Sequence, residues 1–265
     1  MSFEIGPLTI HMYGVMLALG ALAAIFVAYI EAKRRGENPD HLFNMALIVI
    51  PLGIIGARLY HVIDQWSYYS ANPSKIIGGA GLGIFGAIAG GVLGLIIYTN
   101  WKKLNLLRWC DILAPGLILA QGIGRWGNFF NQELYGYPTN LPWGIYIDPA
   151  HRLPGFEQYS HFHPLFLYES ILDIAGFAML MVIGRKMKER LKDGDIMLLY
   201  FIWYGAVRFI LEGFKIDVWT IGGIPTARWI SGAMVIVGAI VLWLRHRRKP
   251  SGTVIPGPDE PSTQP

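Results

Sequence analysis

The sequence predicts an all-α protein that crosses a membrane seven times, and three observations carry this prediction. Hydrophobic residues make up 53% of the 265 residues, and charged residues only 15%. Residues 10–30 and 76–101 contain no Asp, Glu, Lys or Arg, and about 20 such residues cross a bilayer as a helix. Lysine and arginine interrupt the apolar segments in short clusters, a distribution that is not typical of a nucleic-acid-binding face.

Seven apolar segments follow one another along the chain, each of roughly the length that the hydrocarbon core requires. We expect no removable signal peptide before the first of them, because MSFEIGPLTI is acidic and lacks a basic n-region. The segments cover approximately residues 10–30, 42–63, 76–99, 112–130, 164–184, 196–213 and 228–244.

The basic clusters predict how the segments are oriented. They follow the first, third, fifth and seventh segments, and clusters of this kind face the cytoplasm. The N-terminus is therefore predicted outside the cell and the C-terminus inside, with no segment skipped. The clusters are residues 33–35, 102–108, 185–192 and 245–249.

The chain is predicted to form one membrane domain, residues 1–249, followed by a tail. Residues 131–163, between the fourth and fifth segments, are rich in Pro, Gly and aromatic residues and are expected to fold as a subdomain over the outer face. Residues 250–265 contain five prolines and no apolar periodicity, which predicts disorder. Glycines recur through the third segment, so this helix is expected to pack closely and at the centre of the bundle. The single cysteine, Cys110, excludes an intramolecular disulfide and a paired metal–thiolate site.

Ionisable residues inside the segments are the strongest indication of function. A charge at the bilayer centre costs about 2.5–3.5 kcal/mol, so such residues are paired, hydrated or functional. With the orientation above, all of them fall in the outer half of the membrane, where we expect the carboxylates to hold the arginines. They are Arg58, His61, Arg125, Glu169, Asp173, Arg208 and Glu212, with His11 and Tyr13 at the start of the first segment.

The sixth segment carries three of these polar groups on one helical stripe. Tyr204, Arg208 and Glu212 are spaced i, i+4 and i+8, and we expect Arg125 and Glu133 to supply partners of both signs. Guanidinium groups at headgroup depth suit a phosphate, because their planar donors match its oxygens. The pattern therefore predicts a pocket for an anionic lipid headgroup.

The polar stretch GRWGNFFNQELYG, residues 124–136, resembles the signature of bacterial prolipoprotein diacylglyceryl transferases, G-R-x-G-N-F-x-N-x-E-x-x-G. The resemblance extends over nearly the whole chain, through HMYG, GARLY, LPWG, HPLFLYES and YGAVRFILE. Every fixed position of the signature is filled, by Gly124, Arg125, Gly127, Asn128, Phe129, Asn131, Glu133 and Gly136.

The resemblance implies a seven-span enzyme of the bacterial cell membrane whose active site faces outward. It implies transfer of the diacylglyceryl group of phosphatidylglycerol to the lipobox cysteine of preprolipoproteins, with a thioether formed and glycerol-1-phosphate released. No cofactor, metal or nucleic acid is implied. The catalytic residues are then Arg125, Arg208, Tyr204 and Glu133. Beside Arg125, the substrate-binding residues are Asn128, Tyr13, Glu212, Asn131, Gly136, Arg58 and His163.

One residue that is common in the family is missing from this chain, and the sequence leaves the identity of the proton acceptor open. Many relatives have a histidine where this chain has Phe85, so we expect Tyr204 or Glu133 to accept the thiol proton, with His163 as an alternative. His161 and His163 have no third ligand at zinc spacing. Two other functions fit intramembrane charges, namely a lipid or small-anion transporter and a lipid-binding scaffold without chemistry.

Overall fold

The computed structural model describes residues 2–5, 8–77, 81–216 and 218–247, and these residues are mostly helical. Seven helices in this part of the chain are long and apolar enough to cross a membrane, which confirms the predicted polytopic all-α architecture. Residues 250–265, predicted as a disordered tail, lie outside the described residues, as does Gly79. The seven are α1 (Met12–Arg34), α2 (Asp40–Asp64), α4 (Ile84–Trp101), α5 (Leu106–Asn131), α6 (Leu165–Lys186), α7 (Asp195–Leu211) and α8 (Thr226–Arg247); α3 (Trp66–Ala71) is short.

The third long helix begins later than its apolar run, so the predicted start at residue 76 is wrong. A single 3-10 turn, Pro73–Lys75, precedes the run, and Ile77 is 90% exposed. Gly81 has a φ of 104°, which an α-helix does not contain. The helix therefore starts at Ile84.

Three short antiparallel strand pairs lie at the ends of the membrane helices, and none was predicted. The first pair leads directly into α1, the second lies in the loop between α5 and α6, and the third joins α7 to α8. They are β1 (Ser2–Ile5) with β2 (Leu8–His11), β3 (Ile145–Tyr146) with β4 (His161–Phe162), and β5 (Thr220–Ile221) with β6 (Ile224–Pro225).

Helix α5 lies at the centre of the helix packing. It contacts α1 on one side and α6 and α7 on the other, while α8 packs against α7. Helix α4 packs mainly against α2, so the expectation that the glycine-rich segment is central is wrong. Its glycines instead allow close contact with one neighbour: a Cβ on Gly90 would lie 2.1 Å from the carbonyl oxygen of Leu52.

This contact gives a prediction for stability. Gly90→Ala should lower the free energy of unfolding by about 1–3 kcal/mol, because the added methyl group forces α4 away from the α2 backbone. Thermal unfolding in detergent measures the change. Gly91→Ala is the matched control, since a Cβ there would meet only a Val49 methyl group, at 3.8 Å. Equal unfolding temperatures for the two variants would contradict the close α2–α4 contact.

Two buried carboxylates, those of Asp111 and Asp195, join the helix ends that carry the basic clusters. Asp111 on α5 accepts hydrogen bonds from the backbone amides of Gly194 (2.9 Å) and Met197 (3.0 Å) at the start of α7. Asp195 pairs with Arg245 of α8 at 3.0 Å. These contacts fix α5, α7 and α8 to one another at the end opposite the loop between α5 and α6.

The loop of residues 132–164 packs on an apolar cluster of its own. Tyr135, Ile147 and Phe162 from this loop are buried together with Ile216, which follows α7. The Tyr135 hydroxyl donates to the carbonyl of His151 at 2.8 Å and accepts from the amide of Leu153 at 2.7 Å. The cluster therefore holds the loop against the chain that leaves α7.

Candidate active site

Five charged side chains of alternating sign lie in a row at the loop end of the bundle. Arg125 of α5 donates to Oε1 of Glu169 on α6 at 2.5 Å, and Arg208 of α7 approaches Oε2 of the same carboxylate at 3.5 Å. Arg208 also donates to Oε2 of Glu212 at 2.9 Å. Lys215 ends the row, with Nζ 3.9 Å from Oε1 of Glu212. One carboxylate thus brings together the arginines of two helices.

The row is mostly buried, and its charged groups differ in exposure. The carboxylates of Glu169 and Glu212 are about 5% and 4% exposed, whereas the side chains of Arg125, Arg208 and Lys215 are between 20% and 26% exposed. The two guanidinium groups balance the two carboxylates, and Lys215 adds a positive charge when it is protonated. The more exposed groups are therefore the cations, which is the arrangement that attracts an anion.

The pocket around this row has a polar side and an apolar side. Arg125, Glu169, Arg208, Glu212 and Lys215 line it together with Asn128. The rest of the lining is apolar, and the Phe166 ring packs 4.9 Å from that of Phe129. A lipid has the same two-sided character where its headgroup meets its acyl chains. The apolar lining residues are Leu134, Leu165, Phe166 and Leu211.

The end of α5 positions the polar side of the pocket. The Asn128 side chain donates to the Glu133 carboxylate at 2.8 Å, and the Glu133 amide donates to the Asn128 carbonyl at 3.0 Å. Between them Gln132 is left-handed, with φ of 52°, and Leu134 has φ of 54°. Such conformations persist only where neighbouring contacts impose them, and here they turn the chain sharply into the loop of residues 132–164.

Gly136 connects this loop to Lys215. The two residues form an antiparallel bridge, and the Gly136 amide donates to the carbonyl of His163 at 2.9 Å. A Cβ on Gly136 would lie 2.7 Å from the Phe214 carbonyl oxygen, so a side chain would displace this crossing. The glycine therefore sets the position of Lys215 at the pocket.

Several predicted site residues lie near the pocket without lining it. Tyr204 is one turn before Arg208, and its ring stacks on Tyr200 with centroids 6.0 Å apart. The Tyr13 ring lies against the backbone of Gly127 in α5. Asn131 is the last residue of α5 and is half-buried.

Arg58 lies elsewhere, on α2, and its side chain reaches the connection between α2 and α4. Its guanidinium group donates to the carbonyls of Ile76 (2.9 Å), Gly81 (3.0 Å) and Lys75 (2.6 Å). Phe85, at the position where many relatives have histidine, is 62% exposed on α4 and packs 5.9 Å from the Tyr60 ring. Neither residue lines the pocket that contains Arg125 and Arg208.

His163 makes contacts that hold the loop in place. Its Nδ1 lies 3.1 Å from the Tyr168 hydroxyl, and its ring packs 5.5 Å from that of Phe214. We expect His163→Ala to keep at least about a tenth of wild-type activity, because removing one such contact costs about 0.5–1.5 kcal/mol. The initial rate of the transfer reaction that the sequence resemblance implies, measured in detergent micelles, checks this prediction. A rate below one hundredth of wild type would assign His163 a direct role.

Two partner assignments from the sequence are wrong, and one site residue was missed. Glu133 and Arg125 were expected to be partners of the sixth-segment stripe, but Glu133 contacts Asn128 and Arg125 contacts Glu169. Asp173 holds no arginine by a hydrogen bond, since neither of its buried oxygens has a partner among the described residues. Lys215 was missed because it lies beyond the apolar run, although its i+7 spacing from Arg208 continues the stripe of the sixth segment.

Known proteins resemble this chain over most of its length. The sequence model of a family described as prolipoprotein diacylglyceryl transferase matches residues 1–244. The phosphatidylglycerol–prolipoprotein diacylglyceryl transferase of Chloroflexus aggregans is 38% identical, over 96% of this chain and 90% of the relative. Proteins of the same name are 40% identical in Lactococcus lactis subsp. lactis, over 94% and 95% of the two chains, and in Nostoc sp., over 96% and 92%. The chain therefore belongs to the prolipoprotein diacylglyceryl transferase family.

Proposed function

We propose that this chain transfers the diacylglyceryl group of phosphatidylglycerol to the thiol of a lipobox cysteine in preprolipoproteins. Its family membership and the names of its relatives support this reaction. The structural observation that carries the proposal is the bridge formed by Glu169 between Arg125 and Arg208. Two guanidinium groups that share one carboxylate are also close enough to share one phosphate.

Binding of the lipid phosphate uses donors that the ion pairs leave available. A guanidinium group has five N–H donors, and Arg125 contacts Glu169 through one nitrogen. Each arginine can therefore keep its carboxylate and donate to a phosphate oxygen as well. The apolar lining by Leu165, Phe166 and Leu211 accommodates the glycerol carbons and the first part of the acyl chains.

The reaction is a displacement at the glyceryl carbon that bears the phosphate. The thiolate attacks this carbon, the carbon–oxygen bond breaks, and its electron pair leaves with the glycerol phosphate. Negative charge grows on the leaving phosphate, where Arg125 and Arg208 stabilise it as preorganised donors. The guanidinium groups of Arg125 and Arg208 also favour the thiolate form of the incoming cysteine.

The incoming peptide reaches this pocket from outside the cell in our proposal. The pocket lies at the end of the bundle that carries the loop of residues 132–164, and the basic clusters that mark the cytoplasmic side lie at the other end. In this proposal the N-terminus lies outside, the C-terminus lies inside and the loop subdomain covers the outer face.

Labelling of introduced cysteines tests this orientation. In a Cys110→Ser background, Glu157→Cys should react with an impermeant maleimide in intact cells, because residue 157 is exposed in the outer loop. Lys188→Cys, exposed between α6 and α7, should react only after the membrane is permeabilised. The reverse pattern would place the pocket on the cytoplasmic side and contradict the proposal.

Incubation of the purified protein with phosphatidylglycerol and a lipobox peptide tests the activity itself. Mass spectrometry should show a thioether-linked diacylglyceryl peptide and free glycerol phosphate in equal amounts, and a peptide with serine in place of cysteine should remain unmodified. Movement of phosphatidylglycerol between leaflets without thioether would indicate a transporter. Lipid binding without either product would indicate a scaffold.

A further inference from the structure

The proposed reaction requires a group that accepts the thiol proton. The residues that line the pocket limit which group this is. Glu133 is exposed and contacts Asn128, and Tyr204 does not line the pocket. The side chain of Phe85 contains no atom that can accept a proton. Among the titratable residues that line the pocket, both carboxylates are paired with arginine, which makes them weak bases.

We propose that Lys215, in its neutral form, accepts the proton of the incoming cysteine thiol. This assignment rests on the proposed function and names a catalytic residue for that same pocket. Lys215 ends the row of charges, with its side chain 26% exposed, so a peptide arriving past the outer loop meets it before the more buried Glu212.

The backbone around Lys215 fixes the direction of its side chain. The residue is bridged to Gly136, the Tyr137 amide donates to the Phe214 carbonyl at 3.0 Å, and the next residue, Ile216, is buried in the loop cluster. The side-chain nitrogen of Lys215 is consequently directed toward Glu212 and the pocket.

The surroundings of Lys215 favour loss of its proton. Burial lowers the pKa of Lys215 from its ordinary value, and the positive charges of Arg208 and Arg125 act in the same direction. The carboxylates of Glu212 and Glu169 oppose this and do not reverse it. From the outer loop, His163 packs against Phe214, the residue before Lys215. A lysine desolvated beside other cations is a recognised form of general base.

The proton transfer balances with the displacement. Neutral Nζ of Lys215 takes the thiol proton and becomes an ammonium group, and the thiolate forms the carbon–sulfur bond as the phosphate departs with the electron pair of the carbon–oxygen bond. The leaving phosphate monoester has a second pKa near 6, so at neutral pH it leaves as a dianion next to the new ammonium group. Release of that proton to water returns Lys215 to its neutral form.

Two variants separate a base from a fixed positive charge. Lys215→Arg keeps the charge but cannot lose a proton, and Lys215→Met keeps the length without charge or basicity. Transfer from phosphatidylglycerol should be measured between pH 6 and 9.5, with a cysteine peptide and with a selenocysteine peptide. Because a selenol is ionised at neutral pH, it needs no base.

We expect Lys215→Arg to bind phosphatidylglycerol as wild type does and to lose about 30-fold in kcat/KM at pH 7. A free thiol with a pKa of about 8.5 is only about 3% ionised there, and the deficit should nearly vanish at pH 9.5. The selenocysteine peptide should restore both variants at pH 7. Wild-type rates for Lys215→Arg at pH 7, or an equal loss at every pH and with the selenol, would overturn the assignment. Absence of thioether with the wild-type protein would instead reject the proposed function.

Discussion

Arg125→Lys and Arg208→Lys should each lower kcat/KM for diacylglyceryl transfer by about 10²–10³. Loss of one preorganised donor to a developing anion has a cost of this size. Lysine keeps the charge but replaces a planar set of five donors by a single ammonium group, so the phosphate loses its bidentate contact. The measurement is the initial rate of thioether formation with phosphatidylglycerol in mixed micelles.

Arg190→Lys provides the control for these variants, because Arg190 is exposed at the end opposite the pocket. The Arg190→Lys protein should transfer the diacylglyceryl group at the wild-type rate. Near-normal transfer by the Arg125→Lys protein would remove Arg125 from the phosphate site. The same result for Arg208→Lys would leave the pocket with one functional arginine and contradict the shared site.

Glu169→Gln should lower the free energy of unfolding by about 3–5 kcal/mol. Its carboxylate contacts Arg125 and Arg208 at once, and removing one partner of a buried ion pair leaves uncompensated charge. Thermal unfolding in detergent measures the loss. Phosphatidylglycerol should then stabilise Glu169→Gln more than wild type, because its phosphate replaces the missing negative charge and ligand binding adds to stability.

Glu157→Gln is the matched control, since residue 157 is exposed in the loop of residues 132–164 and lies apart from the pocket. The unfolding temperature of Glu157→Gln should equal that of the wild type, and phosphatidylglycerol should raise the two temperatures by the same amount. An unchanged unfolding temperature for Glu169→Gln would contradict the bridging role of the carboxylate. An equal lipid-induced shift in Glu169→Gln and wild type would show that the phosphate binds elsewhere.

The length of the apolar runs predicted the long helices well. Local backbone conformation explains why the start of α4 was misplaced. An apolar stretch of about 20 residues has few stable forms in a bilayer other than a helix, so seven such stretches were visible in the sequence. The start of α4 was misplaced because Ile76, Ile77 and Leu82 are apolar but precede the helix. Hydropathy does not report the left-handed φ of Gly81.

The residue types at the site were predicted from the sequence, whereas their pairing was not. The depth of Arg125 and Arg208 in their segments placed both arginines in one layer. Which carboxylate each one contacts depends on how α5, α6 and α7 are rotated and offset, and one sequence does not contain that information. Glu169 was therefore expected to hold an arginine, but its contact with both was found only in the structure.

A structure of the protein with bound phosphatidylglycerol tests the central claim most directly. The account predicts that Arg125 and Arg208 both donate to oxygens of one lipid phosphate, at the 2.7–2.9 Å usual for charge-assisted hydrogen bonds. The glyceryl carbon to be attacked should face the outer loop and Lys215. A phosphate held by only one of the two arginines, or bound outside the pocket that they line, would contradict it.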